Sequence, residues 1–182
     1  KLPKNISLEG YFQSYQYFIG DNEIRNLFKF DKEKISKKTQ QIASKIRATE
    51  SVSVHVRRTD YVNKHNKGYF ANLTPQYYLA AMKKFNYSKT HFYVFSDDVE
   101  WVKTSLVLPK NARIITGDIN KPAEDLYLMS QAKHHIIANS SFSWWGAWLN
   151  PSPGKTVIAP ARWFRGVAAP TTDIIPSTWI AR

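Results

Sequence analysis

From residue 51 onward, short apolar segments alternate with segments of helical periodicity, and this alternation constrains the fold more than any other feature. Apolar segments with the length and composition of strands lie at residues 51–56, 91–95, 112–115, 135–138 and 156–159. Helical patterns lie between them, at residues 75–85, 99–106, 123–132 and 142–149. Strands that alternate with helices of about ten residues form right-handed βαβ units. The sequence therefore predicts an α/β fold: a Rossmann-like domain with a mostly parallel sheet.

The first fifty residues have a different pattern. A short extended segment at residues 8–14 is followed by helical patterns at residues 21–28 and 31–48. We therefore divide the chain into a helical lead-in, residues 1–50, and the Rossmann-like domain, residues 51–182. No internal repeat, low-complexity tract or Gly/Ser-rich linker separates the two.

The first strand of the domain runs directly into two arginines, in the hexapeptide His55-Val56-Arg57-Arg58-Thr59-Asp60. A core does not accept unpaired charges, so Arg57 and Arg58 need an anionic partner. Guanidinium groups bind phosphate oxygens in pairs, and ligands of α/β sheets lie beyond the carboxyl ends of the strands. One interpretation is therefore a diphosphate site. The other is a surface arginine pair that binds Asp60 or a helix end.

The second strand ends at Ser96-Asp97-Asp98, on the edge of the sheet that also carries the arginines. Two aspartates can hold a divalent ion beside a nucleotide diphosphate. The side chains of adjacent residues diverge, however, and the following helix needs an N-cap. We favour one aspartate as that cap and the other as an acceptor of hydrogen bonds from a nucleotide base or ribose. Capping alone is the remaining interpretation.

The strand at residues 135–138 ends in Asn139-Ser140-Ser141-Phe142-Ser143, at the start of a helix. Backbone N–H groups and hydroxyls at a helix N-terminus favour a bound anion. This predicts a phosphate cradle built with serine where other proteins use glycine. The alternative is Ser141 acting as an N-cap without any ligand.

Three tryptophans follow in the same helix. Trp144, Trp145 and Trp148 are spaced to lie on one helix face, which favours packing in the core over a platform for a sugar. Gly146, which lies between them, would let the helix approach its neighbour closely.

The net charge of +12, from 26 basic and 14 acidic residues, implies an anionic partner or surface. A nucleic acid, an acidic lipid surface and a phosphorylated small molecule all satisfy it. Basic residues are concentrated at residues 29–47, in a polar helical segment typical of a solvated helix face. No RNA- or DNA-binding signature occurs, so we expect no nucleic-acid partner.

The motifs that identify several enzyme classes do not occur in this chain. Gly-x-Gly-x-x-Gly, Walker, His-Glu-x-x-His and Gly-x-Ser-x-Gly motifs do not occur, which removes the dehydrogenases, P-loop NTPases, zincins and α/β-hydrolases identified by them. Without cysteine, disulfides and thiolate metal sites are excluded. No apolar run reaches the roughly 18 to 20 residues of a membrane span.

Three blocks together resemble the α-1,2-fucosyltransferases of glycosyltransferase family 11. They are the hexapeptide with the two arginines, Phe95-Ser96-Asp97-Asp98 with Glu100-Trp101-Val102-Lys103, and Asp125-Leu126-Tyr127-Leu128-Met129-Ser130 running on to the serine and tryptophan block. Leu8-Glu9-Gly10-Tyr11-Phe12-Gln13-Ser14 and Val157-Ile158-Ala159-Pro160 with Trp163-Phe164 resemble flanking segments of that family. The resemblance spans nearly the whole chain. The glycine-rich Gly-Gly-Leu-Gly-Asn-Gln segment of the family's N-terminal domain does not occur here.

The resemblance implies the C-terminal, GDP-fucose-binding half of a GT-B glycosyltransferase, with the N-terminal acceptor domain absent from this sequence. It implies that Arg57 contacts the β-phosphate, and that Arg58 and Asp60 organise the site. The other implied substrate-binding residues are, near the nucleoside, His55 and Asp97 or Asp98 and, near the diphosphate, Asn139, Ser140, Ser141, Phe142 and Ser143.

The expected reaction is inverting transfer of L-fucose from GDP-fucose to the 2-hydroxyl of a galactose-containing glycan, without a metal ion or other cofactor. Arg57 would stabilise the charge that grows on the departing β-phosphate. Asp60 is a candidate base by proximity, but an aspartate beside two arginines is a weak base, which favours a structural role. Alternatives are a GDP-sugar-dependent fucosyltransferase of another linkage and a noncatalytic nucleotide- or glycan-binding fragment. We expect a cytoplasmic or membrane-peripheral protein.

Overall fold

The computed structural model describes residues 7, 9–10, 12–17, 21–63, 68–118, 120–166 and 173–182. The strands in these ranges are β1 (Glu50–Val56), β2 (Thr90–Ser96), β3 (Ala112–Ile115), β4 (His134–Ile136), β5 (Val157–Ala159) and β6 (Ile180–Ala181). The helices are α1 (Asp21–Leu27), α2 (Lys37–Arg47), α3 (Pro75–Met82), α4 (Val99–Ser105), α5 (Pro122–Ser130) and α6 (Ser141–Leu149). A 3₁₀ turn, Tyr15–Tyr17, precedes α1.

The described strands form one parallel sheet in the order β3-β2-β1-β4-β5-β6. β1 pairs along its whole length with β2, from Glu50 opposite Thr90 to Val56 opposite Ser96. This strand order is that of Rossmann folds, in which the direction of winding reverses between β1 and β4. The predicted Rossmann-like α/β fold is therefore confirmed.

Helices pack on both faces of the sheet, as the apolar strands require. On one face, Met82 of α3 and Val102 of α4 pack in a core with Val54 of β1. On the other face, Ile46 of α2 packs in a core with Tyr93 of β2. Residues 37–47 of the helical lead-in therefore share a core with the sheet.

α2 is shorter than the helix predicted at residues 31–48. Ser36 is its N-cap, and the Ser36 hydroxyl accepts a hydrogen bond from the Thr39 N–H. The Glu124 carboxylate of α5 accepts hydrogen bonds from both the backbone and the hydroxyl of Ser36. The prediction was wrong at this end because Ile35, in the preceding turn, is buried like a residue of the helix. A contact with a helix distant in sequence sets the start of α2.

The predicted extended segment at residues 8–14 lies partly outside the described residues. β6 was not predicted, since its two residues are both exposed and have no strand pattern.

α6 carries the tryptophans whose spacing predicted a packed face. Trp144 and Trp148 are 7% and 5% exposed, which confirms that packing, and Trp145 is half-buried. A Cβ added at Gly146 would lie only 2.9 Å from the Cβ of Met129 in α5. Glycine therefore permits the close contact of α5 with α6, as predicted.

A buried polar network joins β1, β4 and the end of α6. His135 Nδ1 lies 2.8 Å from the Ser53 hydroxyl, and Nε2 lies 2.9 Å from the Asn150 amide nitrogen. That amide nitrogen also donates to the Ala132 carbonyl, so it is a donor and His135 Nε2 is an acceptor. His135 is therefore a neutral imidazole with its proton on Nδ1, and its place at the start of β4 is structural.

Candidate functional site

A cleft of about 780 Å³ lies where the carboxyl ends of β1, β2 and β3 meet the N-termini of α5 and α6. This volume is within the range of small-molecule sites. Its lining combines residues from all five elements, among them His55, Arg57, Asp97, Asp125 and Ser141. Rossmann-type sheets bind their ligands at this point, where the strand order reverses.

Arg57 is held at the cleft by two carboxylates. Its Nε and Nη2 each donate to an Asp60 oxygen at 2.9 Å, and Nε lies 3.3 Å from Asp97 Oδ2. Partial burial lowers the pKa of Arg57, but its hydrogen bonds to Asp60 and the charge of Asp97 outweigh burial and raise that pKa. The side chain remains 35% exposed, so the guanidinium is a fixed charge that a ligand can reach.

Asp97 organises the loop that carries the arginines. Its Oδ1 accepts a hydrogen bond from the Arg58 N–H at 2.9 Å, and its Oδ2 accepts one from the Thr59 N–H at 3.2 Å. The Thr59 hydroxyl donates to the same oxygen at 2.5 Å. The sequence predicted that Asp97 either caps a helix or binds a nucleoside. Its carboxylate instead fixes the loop at the end of β1, and it also lines the cleft.

Arg58 and Asp98 face the other way. The Arg58 guanidinium carbon lies 4.2 Å from the centroid of the Trp101 ring, and its Nε lies 3.4 Å from Asp98 Oδ2. Asp98 Oδ1 accepts a hydrogen bond from the Trp101 N–H and caps α4, so one of the two aspartates is the predicted cap. The structure thus separates both pairs: Arg57 and Asp97 line the cleft, whereas Arg58 and Asp98 pack against α4.

The sequence also allowed an interpretation in which Asp97 and Asp98 together hold a divalent metal ion. Asp97 and Asp98 are bound by different groups and do not converge on one point. Among the residues that the structure describes, no group of three or more histidines, aspartates or glutamates is placed to hold a metal ion.

The N-terminus of α6 opens onto the cleft. The N-cap is Ser140, one residue earlier than the predicted Ser141, and its side chain makes no capping hydrogen bond. The first N–H groups of a helix have no acceptor within the helix, so those of α6 are available to an anion. Ser141 is exposed there, and Phe142 is partly so. The predicted cradle residues Ser140, Ser141 and Phe142 therefore line the cleft, and phosphate binding there stays a prediction.

The opposite end of α6 is capped by cations. Lys155 Nζ donates to the carbonyls of Ala147 and Asn150 at 2.9 and 2.6 Å. The Arg25 guanidinium donates to the Trp148 carbonyl from Nε and Nη2, both at 3.3 Å. Positive charge at the C-terminus stabilises the helix dipole, whose positive end faces the cleft.

Asn139 and Ser143 act inside the fold rather than at the cleft surface. The Asn139 amide donates to the carbonyls of Ala71 and Trp163, at 2.9 and 2.8 Å. The Ser143 hydroxyl donates to the Ser140 carbonyl at 3.3 Å, within the first turn of α6. Asn139 therefore joins the loop after β1 to the loop after β5. Both residues were predicted near the diphosphate, which stays a prediction, and the structure shows that their side chains make supporting contacts within the fold.

Aromatic residues cover one side of the cleft. The Tyr61 ring stacks on Phe70, with centroids 4.0 Å apart, and its hydroxyl donates to the Asn139 carbonyl at 2.8 Å. Phe70 pairs in turn with Phe164, from the loop after β5. Tyr61 and Phe70 both line the cleft, so the loop after β1 contributes aromatic side chains to it.

His55 lies at the inner wall of the cleft. Its ring is 5.7 Å from that of Phe142, and its Nδ1 is buried without a hydrogen-bond partner among the described residues. Burial lowers the pKa of His55 to about 4; the charge of Asp97 opposes the shift and that of Arg57 adds to it. A neutral imidazole offers one donor and one acceptor, which suits a base or ribose better than a phosphate charge.

Asp125 lines the same cleft, and sequence reasoning gave it no role. It lies in the first turn of α5, and a side chain at Gly117 would collide with its carboxylate. Burial, aided by the charge of Glu124, raises the pKa of Asp125 to about 6. An acidic residue in the first turn of a helix is ordinary, so no sequence signal distinguishes it. Only the fold brings it to the same cleft as Arg57.

Two buried histidines predict how stability depends on pH. Burial, with the charges of Lys155 and His134, lowers the pKa of His135 to about 3, and that of His55 is about 4. The unfolded chain therefore binds more protons below about pH 6.5, and stability falls as pH decreases from there towards 4. Each histidine contributes a slope of up to about 1.4 kcal/mol per pH unit.

Denaturant unfolding followed by tryptophan fluorescence at pH 7.5 and 5.0 measures this dependence. The raised pKa of Asp125 opposes it, because that carboxyl binds its proton more tightly in the folded state. His135→Gln should reduce the change of unfolding free energy per pH unit by about the contribution of one histidine, even though it also lowers stability at every pH. An unchanged slope in His135→Gln would contradict the neutral, buried state of His135.

A parallel sheet in Rossmann order, with an arginine and an open helix N-terminus at its switch point, is typical of nucleotide-binding α/β proteins. The chain belongs to glycosyl transferase family 11, because the sequence model of that family matches residues 1–180. No solved structure matches the chain significantly. Within the described residues, no helix is long and apolar enough to cross a membrane.

Three relatives illustrate the similarity. The chain is 36% identical to "Alpha-1,2-colitosyltransferase" of Escherichia coli over 182 residues, which cover 97% of the chain and 62% of the relative. It is 38% identical to "O-antigen biosynthesis glycosyltransferase WbnK" of Escherichia coli over 120 residues, 64% of the chain and 40% of the relative. It is 32% identical to "Galactoside 2-alpha-L-fucosyltransferase Sec1" of Mus musculus over 139 residues, 71% of the chain and 37% of the relative. The chain thus spans less than two thirds of each.

Proposed function

We propose that this chain is the donor-binding part of a GDP-sugar-dependent transferase that forms an α-1,2 linkage from L-fucose to a galactoside. The observation that carries the proposal is the convergence of Arg57 and the open N-terminus of α6 at the switch point of the sheet. A diphosphate bound there would receive charge-assisted hydrogen bonds from the guanidinium and backbone hydrogen bonds from the helix.

The lining of the cleft offers groups for both parts of a nucleoside diphosphate. Arg57 and Ser141 supply groups that suit phosphate, and Asp125 contributes a carboxylate to the same cleft. The two oxygens of a carboxylate match the adjacent N1–H and N2–H groups of guanine, whereas uracil offers a single ring N–H. We therefore place guanine at Asp125 and the neutral His55 beside the nucleoside.

In the proposed reaction the acceptor 2-hydroxyl attacks C1 of the sugar as the bond from C1 to the β-phosphate oxygen breaks, and the hydroxyl proton is released to water. The electron pair of that bond leaves with GDP, and the configuration at C1 inverts. Arg57 and the α6 N-terminus stabilise the charge that grows on the β-phosphate, and we propose that they do so without a metal ion. Both Asp60 oxygens bind Arg57, so we assign Asp60 the orientation of that guanidinium rather than removal of the acceptor proton.

The similarity to the colitosyltransferase favours a second donor for the same site. Colitose is L-fucose without its 3-hydroxyl, so the two sugars share the 6-methyl group and differ at one position. The GDP conjugates of both sugars are candidate donors, and a galactose-containing glycan is the proposed acceptor.

Calorimetric titration of the chain with GDP, UDP and CMP tests the nucleotide. We expect GDP to bind at least about tenfold more tightly than the other two, because only guanine pairs with both Asp125 oxygens. Asp125→Asn should weaken GDP binding and leave UDP binding unchanged. Equal affinities for all three nucleotides would contradict the proposal, as would failure of GDP to bind.

A further inference from the structure

A second, smaller cavity of about 310 Å³ adjoins the cleft. The exposed Ser141, at the start of α6, lines both spaces. Trp144 and Trp145 of α6 also line the second cavity, as do Trp163 and Ile174. A group bonded directly to a diphosphate at the α6 N-terminus would therefore lie at the entrance to this cavity.

The aromatic wall of this cavity is rigid. The Trp144 indole N–H donates to the Ile174 carbonyl at 2.6 Å, and its ring stacks on Trp148 with centroids 6.0 Å apart. Trp145 meets Trp148 edge to face at 5.6 Å and contacts Phe28 at 4.9 Å. The rings therefore need no rearrangement to bind a ligand, which reduces the entropy lost on binding. The tryptophan packing predicted from the sequence therefore forms the wall of this cavity as well as part of the core.

The lining of the cavity combines polar and apolar side chains. Gln13, Ser14 and Ser141 are polar, and the other lining residues are aromatic or aliphatic. A ligand for such a space has hydroxyls around its edge and an apolar face or substituent. A pyranose ring carries hydroxyls at its edge and C–H groups on its face, and a 6-deoxyhexose adds a methyl group.

We propose that this cavity binds the 6-deoxyhexose of the donor, with its methyl group and C–H face against Trp144 and Trp145. The inference rests on the proposed function, because it needs the diphosphate at Arg57 and Ser141. C1 of the sugar is bonded to the β-phosphate, so the sugar enters the space adjoining the phosphate site. The small volume fits one pyranose ring and not a glycan chain, which favours the donor sugar over the acceptor.

The first experiment changes the ligand and leaves the protein intact. GDP-β-L-fucose and GDP-β-L-galactose differ only in the 6-hydroxyl, which the second ligand would place against the tryptophans. We expect calorimetry to give at least about tenfold tighter binding of GDP-β-L-fucose, because the added hydroxyl loses its water without gaining a partner. Equal affinities of the two ligands would overturn the inference.

The second experiment changes the wall. Trp145→Ala should weaken GDP-β-L-fucose binding about tenfold and leave GDP binding within about twofold, because only the sugar touches the wall. Trp145→Phe should restore most of the difference. Tyr87→Ala, at an exposed aromatic residue outside both spaces, is the matched control and should change neither affinity. Thermal unfolding verifies that each variant is folded.

The outcomes separate this inference from the proposed function. Absence of GDP binding would overturn both. GDP binding with equal affinities for the two GDP-sugars would overturn the sugar site alone. If Trp145→Ala loses binding of a free galactoside such as lactose and keeps GDP-β-L-fucose binding unchanged, the cavity belongs to the acceptor and the inference is wrong.

Discussion

Replacing Arg57 with alanine is expected to lower the affinity of the chain for GDP and for GDP-fucose by about a hundredfold or more. The guanidinium would donate charge-assisted hydrogen bonds to the phosphate, each contributing roughly 1.5 to 3 kcal/mol, and alanine removes them all. Asp60 and Asp97 would also lose their cation, which adds repulsion between the carboxylates and the ligand. Calorimetric titration at fixed ionic strength measures the loss.

Two variants separate the planar guanidinium from charge in general. Arg57→Lys keeps the charge but cannot bind Asp60 and a phosphate at once, so we expect an affinity between those of the unaltered chain and Arg57→Ala. Arg113→Ala removes a positive charge from an exposed position on β3 and should leave the affinity unchanged. An Arg57→Ala affinity within about threefold of the unaltered chain would exclude a phosphate contact by Arg57.

Replacing Asp97 with alanine is expected to weaken donor binding at least about tenfold, although Asp97 needs no direct contact with the donor. Its carboxylate accepts hydrogen bonds from the Arg58 and Thr59 backbone and lies against Arg57. Without it, the loop after β1 loses the contacts that fix Arg57 in place. Nucleotide titration and denaturant unfolding together measure the effects on affinity and stability.

Asp98→Ala provides the matched control for Asp97→Ala. It removes the N-cap of α4 and the partner of the Arg58 guanidinium, so stability should fall by about 0.5 to 2 kcal/mol. Donor affinity should change much less than in Asp97→Ala, because Asp98 faces α4 and not the cleft. Equal losses of affinity in the two variants would contradict the separate roles that the geometry gives these neighbours.

The position of the cleft could be predicted from the sequence. The β1 strand pattern stops at Arg57, and the β4 pattern stops at Asn139. In a parallel sheet the carboxyl ends of strands share one edge, so residues more than eighty positions apart were expected to meet there. They do meet, because β1 and β4 are direct neighbours in the sheet.

The partners of individual side chains could not be predicted in the same way. The sequence treats Arg57 and Arg58 as one pair and Asp97 and Asp98 as another, whereas the structure divides each pair between the cleft and α4. Successive side chains at a strand end leave in different directions, and each direction depends on which helix packs beneath the strand. The sequence could not predict that Asp125 lines the cleft, because its position depends on how α5 packs on the sheet.

The sequence by itself determined the βαβ alternation, the sheet edge that carries the charged and hydroxyl residues, and the packed tryptophan face of α6, because all three follow from local periodicity and residue chemistry. Only the tertiary structure decided that Ser36 starts α2, that Asp97 fixes the arginine loop, and that Asp125 lines the cleft. Each of these depends on a contact between segments distant in sequence. Such contacts are set by the packing of whole helices on the sheet, which no local pattern encodes.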